Sequence, residues 1–435
     1  MTQSGRAGRA ARGGPAGAVA DHRAPVRTRR PKDRRAIIAR VAAELFAERG
    51  YAATGIGDIA ERVGVTPGAI YRHFSGKEDL LRSVLQDALA RFDQAARPVP
   101  SGPGGGGGSA EDRLREVVRC TVGVTLAHPT LVSTYVRDRA SLSKEAAGEL
   151  SAGEAEVARL WERAVHEVRP EVTPAEARVR KRAVNGVLAL LARGAHHPPN
   201  PRLAERVTES LWALLVAPAA PGPAADDRPR RRTWPRPRSR REEIRDVAAT
   251  LFRQYGYHGV GIDQIGKAAG ISGPTVYGTY DSKVEILVDA CDHAVAKLEI
   301  SVERALEEAG SAGEALRLIS RSYAQTVFAD ADVIAVAARE GEALPAYDGI
   351  RIQRRLRDLR QVCSAVLLEV RPDLEEAEAR VLTAAANAAV QEVALLRRGR
   401  PTPAAASALS LRFLLPHDAP RDGGGSRGTG GVRVH

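Results

Sequence analysis

The residues best equipped for chemistry lie between Thr66 and Lys77. Within twelve residues stand the Thr66 hydroxyl, the Tyr71 phenol, the His73 imidazole and the positive charges of Arg72 and Lys77, with no acidic residue among them. Such a set donates hydrogen bonds and attracts anions. Its spacing predicts where each group points. Ile56, Ile59, Ala60 and Val63 fall on one face of a short helix, and Gly64 supplies a turn. Thr66 then caps a second helix with Pro67 at its first position, where the missing N–H costs nothing. Ile70 and Phe74 hold that helix on a core, which leaves Ala69, Tyr71, Arg72 and His73 on the outer surface. Lys77 opens the next helix. Two short helices about a glycine-containing turn form a helix-turn-helix, whose second helix enters the major groove of DNA. The chemistry expected is recognition of phosphates and base edges in double-stranded DNA.

Catalysis has little support in the sequence, and the chain is read as a non-enzyme without cofactors. The glycine run 102–108 lacks the Lys-Ser/Thr of a phosphate-binding loop and no strand precedes it. Cys120, Cys291 and Cys363 are odd in number and far apart, so they read as reduced thiols. His196 and His197 lie in a Pro-rich loop where solvated side chains are expected, and no metal site is expected. Two rival classes are a nonspecific architectural DNA-binding protein and a ligand-binding protein with a vestigial second head. A sequence preference over random DNA of about 10³ or more separates a regulator from the first.

The elements that position these residues occur twice. At 435 residues the chain suggests two to four compact units. A shift of 206 places residues 34–81 on 240–287 without a gap, with 17 of 48 pairs identical. Farther on, a shift of 202 places Val168, Arg169 and Pro170 on Val370, Arg371 and Pro372, and Asn185 on Asn387. A period of about 200 residues means duplicated domains. Helical periodicity runs through both copies, with later helices at roughly 111–127, 152–168, 175–194 and 202–216. Their equivalents are roughly 313–328, 350–370, 374–397 and 404–414. The expected fold is all-α, with two tandem units that each carry a helix-turn-helix head on a larger helical bundle.

The domains expected are a disordered basic arm (1–31), a first head (32–97) and a first ligand and dimerisation body (111–217). A basic linker (218–237), a second head (238–298), a second body (312–416) and a disordered tail (417–435) follow. Charge concentrates ahead of each head. Residues 1–35 hold ten Lys/Arg against two Asp, and 226–241 hold eight Arg against two Asp. Such arms can lie along phosphates or in the minor groove. A basic N-terminus without an apolar run, and the absence of any apolar stretch of membrane-spanning length, lead to a cytoplasmic expectation with no membrane partner.

The first head resembles the tetracycline-repressor (TetR) family of bacterial regulators. The likeness rests on Phe46, Gly50 and Tyr51, on Asp58, Ile59 and Ala60, on Gly64, Val65 and Thr66, and on Tyr71 through Phe74 with Lys77. It implies a three-helix DNA-binding head on a body that binds a small ligand and dimerises. It further implies that Thr66, Tyr71, His73 and Lys77 contact phosphates, with Pro67, Gly68, Ala69 and Arg72 nearest the bases. In the second head the corresponding candidates are Ser272, Gly273, Thr275, Tyr277, Thr279 and Lys283. Here Gly278 replaces Arg72, Thr279 replaces His73 and Gln264 replaces Asp58. A head with Gly278 loses a charged donor, so different base preference or lower affinity is expected.

In the bodies the resemblance implies a cavity among the middle helices. Arg137, Asn185, Arg339 and Asn387 are the candidates for orienting a small apolar or acyl ligand. Trp161, Trp212, Tyr135 and Tyr323 are expected in the core or at an interface. Relatives of this kind dimerise through their last two helices. Those helices could therefore pair within one chain as a pseudo-dimer with two unlike heads, or between two chains as a homodimer. The output expected is repression.

Overall fold

A computed structural model describes residues 34–97, 108–194, 200–218, 238–339, 343–396 and 399–416, without the side chains of Ala338 and Arg339. The N-terminal arm, the linker bulk at 219–237, the His196–His197 loop and the tail after 416 lie outside the described residues. Among the described residues every regular element is helical. None of these helices is long and apolar enough to cross a membrane.

The first unit comprises α1 (Arg34–Arg49), α2 (Ile56–Val63), α3 (Pro67–Tyr71), α4 (Lys77–Ala96), α5 (Ala110–Ala127), α6 (Pro129–Asp138), α7 (Lys144–Val168), α8 (Pro174–Gly194) and α9 (Pro201–Val216). The second repeats the order as α10 (Arg240–Tyr255), α11 (Ile262–Ala268), α12 (Gly273–Tyr277), α13 (Lys283–Glu308), α14 (Ala312–Ala329), α15 (Ala331–Arg339), α16 (Ala346–Val370), α17 (Glu376–Ala394) and α18 (Pro403–Leu414). Two features were not separated by periodicity. Helices α6 and α15 begin within two residues of the preceding helix, so the apolar pattern runs on across the break. Helix α7 starts at Lys144, eight residues before the expected 152, because its first turns are rich in Ala, Gly and Glu and show no apolar stripe.

Each head closes over its own core. Ile38, Phe46, Ile59, Ile70 and Phe74 are fully buried in the first, as are Ile244, Phe252, Ile265, Val276 and Tyr280 in the second. Leu131 of α6 and Leu150 of α7 join the first head's core, so head and body share packing.

The two units meet through their last two helices. Helix α8 packs along α17, and α9 along α18. Where α8 crosses α17, a Cβ on Gly186 would stand 2.4 Å from the Ala388 carbonyl oxygen, so only glycine permits this approach. At the 202 shift Ala388 is Gly186's own counterpart. A residue that meets its counterpart marks a pseudo-twofold axis. Charges across the seam do not obey that symmetry. Arg182 pairs with Glu392 at 2.6 Å, yet their counterparts are Ala384 and Leu190. Arg202 reaches Glu375 at 2.6 Å and Glu378 at 2.9 Å, and Arg206 reaches Asp373 at 3.3 Å.

Candidate nucleic-acid interface and body cavity

The first helix-turn-helix is fastened by backbone and side-chain bonds its sequence can be seen to supply. Gly55 has no side chain with which to cap α2, but the Asp58 carboxylate accepts the Gly55 N–H at 2.7 Å. In the second head the Gln264 amide oxygen accepts the Gly261 N–H at 2.8 Å. The replacement of Asp58 by Gln264 therefore preserves the bond and removes the charge. Gly64 and Gly270 adopt φ of 74° and 70°, the left-handed turn that glycine tolerates without strain.

Thr66 stands at the cap position of α3, but its hydroxyl makes no capping bond; only its carbonyl closes the turn with Ala69. The hydroxyl is thus left exposed for an outside acceptor. Ser272 does cap α12, accepting from Thr275 N–H at 3.4 Å, and the Ser272 and Thr275 hydroxyls bond each other at 2.7 Å. Pro67, Gly68, Tyr71 and Arg72 are exposed, whereas Ala69 and His73 are half-buried. Tyr71 and Tyr277 are each 56% exposed, the same in the two heads. Gly273 departs from expectation. It is buried, and a Cβ there would stand 2.2 Å from the Asp263 carboxylate, so it closes the turn and presents no outward group. Thr279 is half-buried.

Both lysines serve their own heads. The Lys77 ammonium donates to the Ala52 carbonyl at 3.3 Å and lies 4.4 Å from the Tyr51 ring centre. Burial lowers its pKa, although Asp138 and Asp58 oppose the shift. Lys283 is held more tightly, donating to Tyr257 O at 3.0 Å and Val260 O at 2.9 Å beneath the same ring contact. Each lysine ties the turn after the first helix to the start of the fourth.

Helix α6 connects this head to the body. On one side the Thr134 hydroxyl donates to Ala43 O at 3.4 Å, Arg137 donates to Ala47 O at 3.2 Å, and the Asp138 carboxylate accepts from Tyr51 N–H at 3.4 Å. On the other, Val132, Tyr135 and Val136 line a cavity of about 440 Å³ in the first body. Arg137 thus faces the head and not the cavity, because it falls on the opposite face of the helix from Tyr135. Asn185 does line the cavity. Asn387 is half-buried on α17, and the Arg339 side chain lies outside the described residues.

The cavity's polar lining was largely missed. Tyr135 and Trp161, expected as core or interface residues, are part of its wall, together with Arg139, Glu154, Lys181 and Arg182. The Glu154 carboxylate is held by Arg139 and by the Tyr135 hydroxyl, which keeps its pKa below the ordinary range despite burial. Glu392 of the second unit completes the lining. The local pattern of Lys181 and Arg182 carries little signal, since they continue a basic run with Arg178 and Arg180 and read as a solvated face of α8. Tyr323 is buried and accepts a hydrogen bond from the Gln391 amide at 2.8 Å, and Trp212 lies under Arg115.

Residues 38–84 and 244–290 each match the family model described as bacterial regulatory proteins, tetR family. Over 66 residues the chain is 41% identical to the HTH-type transcriptional repressor KstR2 of Mycolicibacterium smegmatis, covering 15% of this chain and 32% of that protein. Over 70 residues it is 42% identical to the HTH-type transcriptional regulator TtgR of Pseudomonas putida, covering 16% and 33%. The match thus spans about a third of the length of these relatives. Among solved structures, a TetR-family transcriptional regulator from Bordetella parapertussis is 22% identical, with 43% of this chain and 98% of that chain covered and a TM-score of 0.38. The two matched segments coincide with the two heads and repeat at the 206-residue shift found in the sequence. Each head therefore carries a segment that matches the tetR family of bacterial regulatory proteins, and the chain holds two such segments in tandem.

Proposed function

We propose that the chain is a sequence-specific DNA-binding transcriptional regulator, a ligand-responsive repressor that reads an operator with two unlike half-sites. The observation that carries this is the crossing of α8 and α17, where Gly186 meets its own counterpart within a single chain. That seam relates the two bodies as a symmetric dimer would relate two chains, while the outer residues of the heads are free to differ. A true twofold dimer demands identical half-sites; an intrachain pair does not. The uneven charges of the seam favour this pairing. Pairing two first units would set Arg182 against Leu190, and pairing two second units would set Glu392 against Ala384, losing the Arg182–Glu392 pair each time.

In the first head, Thr66, Tyr71, Arg72 and His73 supply donors at the DNA-facing helix, with Pro67, Gly68 and Ala69 allowing close approach. Lys77 acts there by fixing the turn as well as by its charge. In the second, Ser272, Thr275, Tyr277 and Thr279 remain with Gly273 beneath them and Lys283 behind, and the missing arginine at Gly278 shifts preference or weakens binding. Helix α6 gives a ligand in the first body a route to the first head, because its two faces touch cavity and head. Repression follows the relative named as a repressor.

The test is selection from a random duplex pool with the full-length protein at near-physiological salt, with the mass of the complex measured in parallel. The expected result is two unlike half-sites at fixed spacing, bound by one chain. A palindrome bound by two chains would overturn the intrachain pairing. Binding without enrichment that vanishes as salt rises would overturn sequence-specific regulation and leave an architectural role.

A further inference from the structure

The two bodies treat the same volume differently. In the first, Thr121 and Ala189 both line the cavity. At the 202 shift their counterparts are Tyr323 and Gln391, which are bonded to each other at 2.8 Å in the second body. Two small residues have become two large ones that fill the space and satisfy each other's polar atoms. Two charged positions have gone as well, since Glu154 corresponds to Leu356 and Lys181 to Thr383, although Asn185 is kept as Asn387.

The charges of the first cavity do not balance. Arg139 is matched by Glu154, and Arg182 by Glu392. Lys181 lines the same cavity but makes no hydrogen bond or ion pair among the described residues. Burial and the nearby Arg182 lower its pKa, while the Glu154 and Glu162 carboxylates, neither of them bonded to it, oppose the shift. A cation so placed gains from an anionic partner. The remaining wall, including Leu89, Phe92, Val132, Val157, Trp161 and Leu188, is apolar, and the volume of about 440 Å³ suits a small molecule.

We infer that the chain takes one effector for its two heads: a monocarboxylate with an apolar body, seated in the first unit with its carboxylate on Lys181, while Tyr323 occupies the second unit's counterpart site. This rests on the ligand-responsive reading above and names its ligand class and stoichiometry. Because Glu392 of the second unit lines the first cavity and pairs with Arg182, an occupant also touches the seam between the units. One bound molecule can therefore act on both heads.

The test is calorimetric titration of the full-length protein, without DNA, using hexanoate, octanoate, decanoate and 1-naphthoate alongside the matching neutral alcohols. The expected result is one equivalent bound per chain, with the best carboxylate about tenfold or more tighter than its alcohol. Lys181→Met lowers carboxylate affinity by about the same factor and spares the alcohol, whereas Lys181→Arg retains binding within a few fold. Thr121→Tyr, which copies the second unit's filling, abolishes binding. Melting curves establish that each variant is folded, and Thr121→Tyr tests the site independently if Lys181→Met is not. Two equivalents per chain, equal affinity for alcohol and carboxylate, an unchanged affinity in folded Lys181→Met, or no binding across the series would each overturn the inference. None of these outcomes bears on DNA selection, so failure here and failure of the regulator reading are distinguishable.

Discussion

The first and second units share a chain plan of nine described α-helices in the same order, yet they differ at several of the candidate contact positions. Around the third helix of each head, Arg72 and His73 of the first are Gly278 and Thr279 in the second, and the Thr66 hydroxyl makes no capping bond where that of Ser272 is engaged. Inside the bodies, Thr121 and Ala189 of the cavity wall correspond to Tyr323 and Gln391, which are bonded to each other. The framework shows no such drift. Gly64 and Gly270, Phe46 and Phe252, and the lysine clips of Lys77 and Lys283 hold the same posts. In a dimer of identical chains every change appears twice; in one chain each copy is free to change alone. The packed scaffold is retained in both copies because each must still fold.

That comparison can be broken most forcefully at the filled site. Tyr323→Ala is expected to destabilise the chain by about 3–5 kcal/mol, the range for removing a large buried ring, measured by denaturant unfolding. A loss below about 1 kcal/mol would mean that Tyr323 does not occupy the second body's counterpart volume. Next comes the seam the copies share. Gly186→Leu forces a side chain against the Ala388 backbone, with an expected loss of about 3 kcal/mol and weaker binding to DNA carrying both half-sites. Unchanged unfolding would show that α8 and α17 do not approach so closely.

A smaller effect sharpens the contrast between heads. Arg72→Gly makes the first head resemble the second, and is expected to cost about 1–3 kcal/mol at one half-site with relaxed base preference there. Equal losses on all sequences would assign Arg72 to the phosphates. The smallest effects are at the caps. Asp58→Ala and Gln264→Ala should each lower stability by about 1 kcal/mol or less, and Asp58 should matter more because its charge also favours a helix N-terminus. Equal melting shifts would remove the charge from the account.

Much of this was legible in the residues. Ile70 and Phe74 were expected to anchor α3 and are buried, while Tyr71 and Arg72 were expected outside and are exposed. Gly64 marked the turn. The failures share a cause. Thr66 carries a good capping residue type, but whether its hydroxyl bonds inward depends on a rotamer. Gly273 fell within the outward-facing segment by alignment, but Asp263 packs over it. Arg137 looked like a ligand group until α6 was placed, when it proved to face α1 and Tyr135 the cavity.

By itself the sequence determined what depends on neighbours in the chain: the helices, their caps and turns, the duplication and the head that each copy begins with. These follow from a period of 3.6 residues and from side chains that contact backbone within a few positions. Tertiary structure alone decided that Gly186 rests on Ala388, that Arg182 meets Glu392, and that Tyr323 is buried against Gln391. Such contacts join residues tens to hundreds of positions apart, and they depend on the volumes and angles at which whole helices pack.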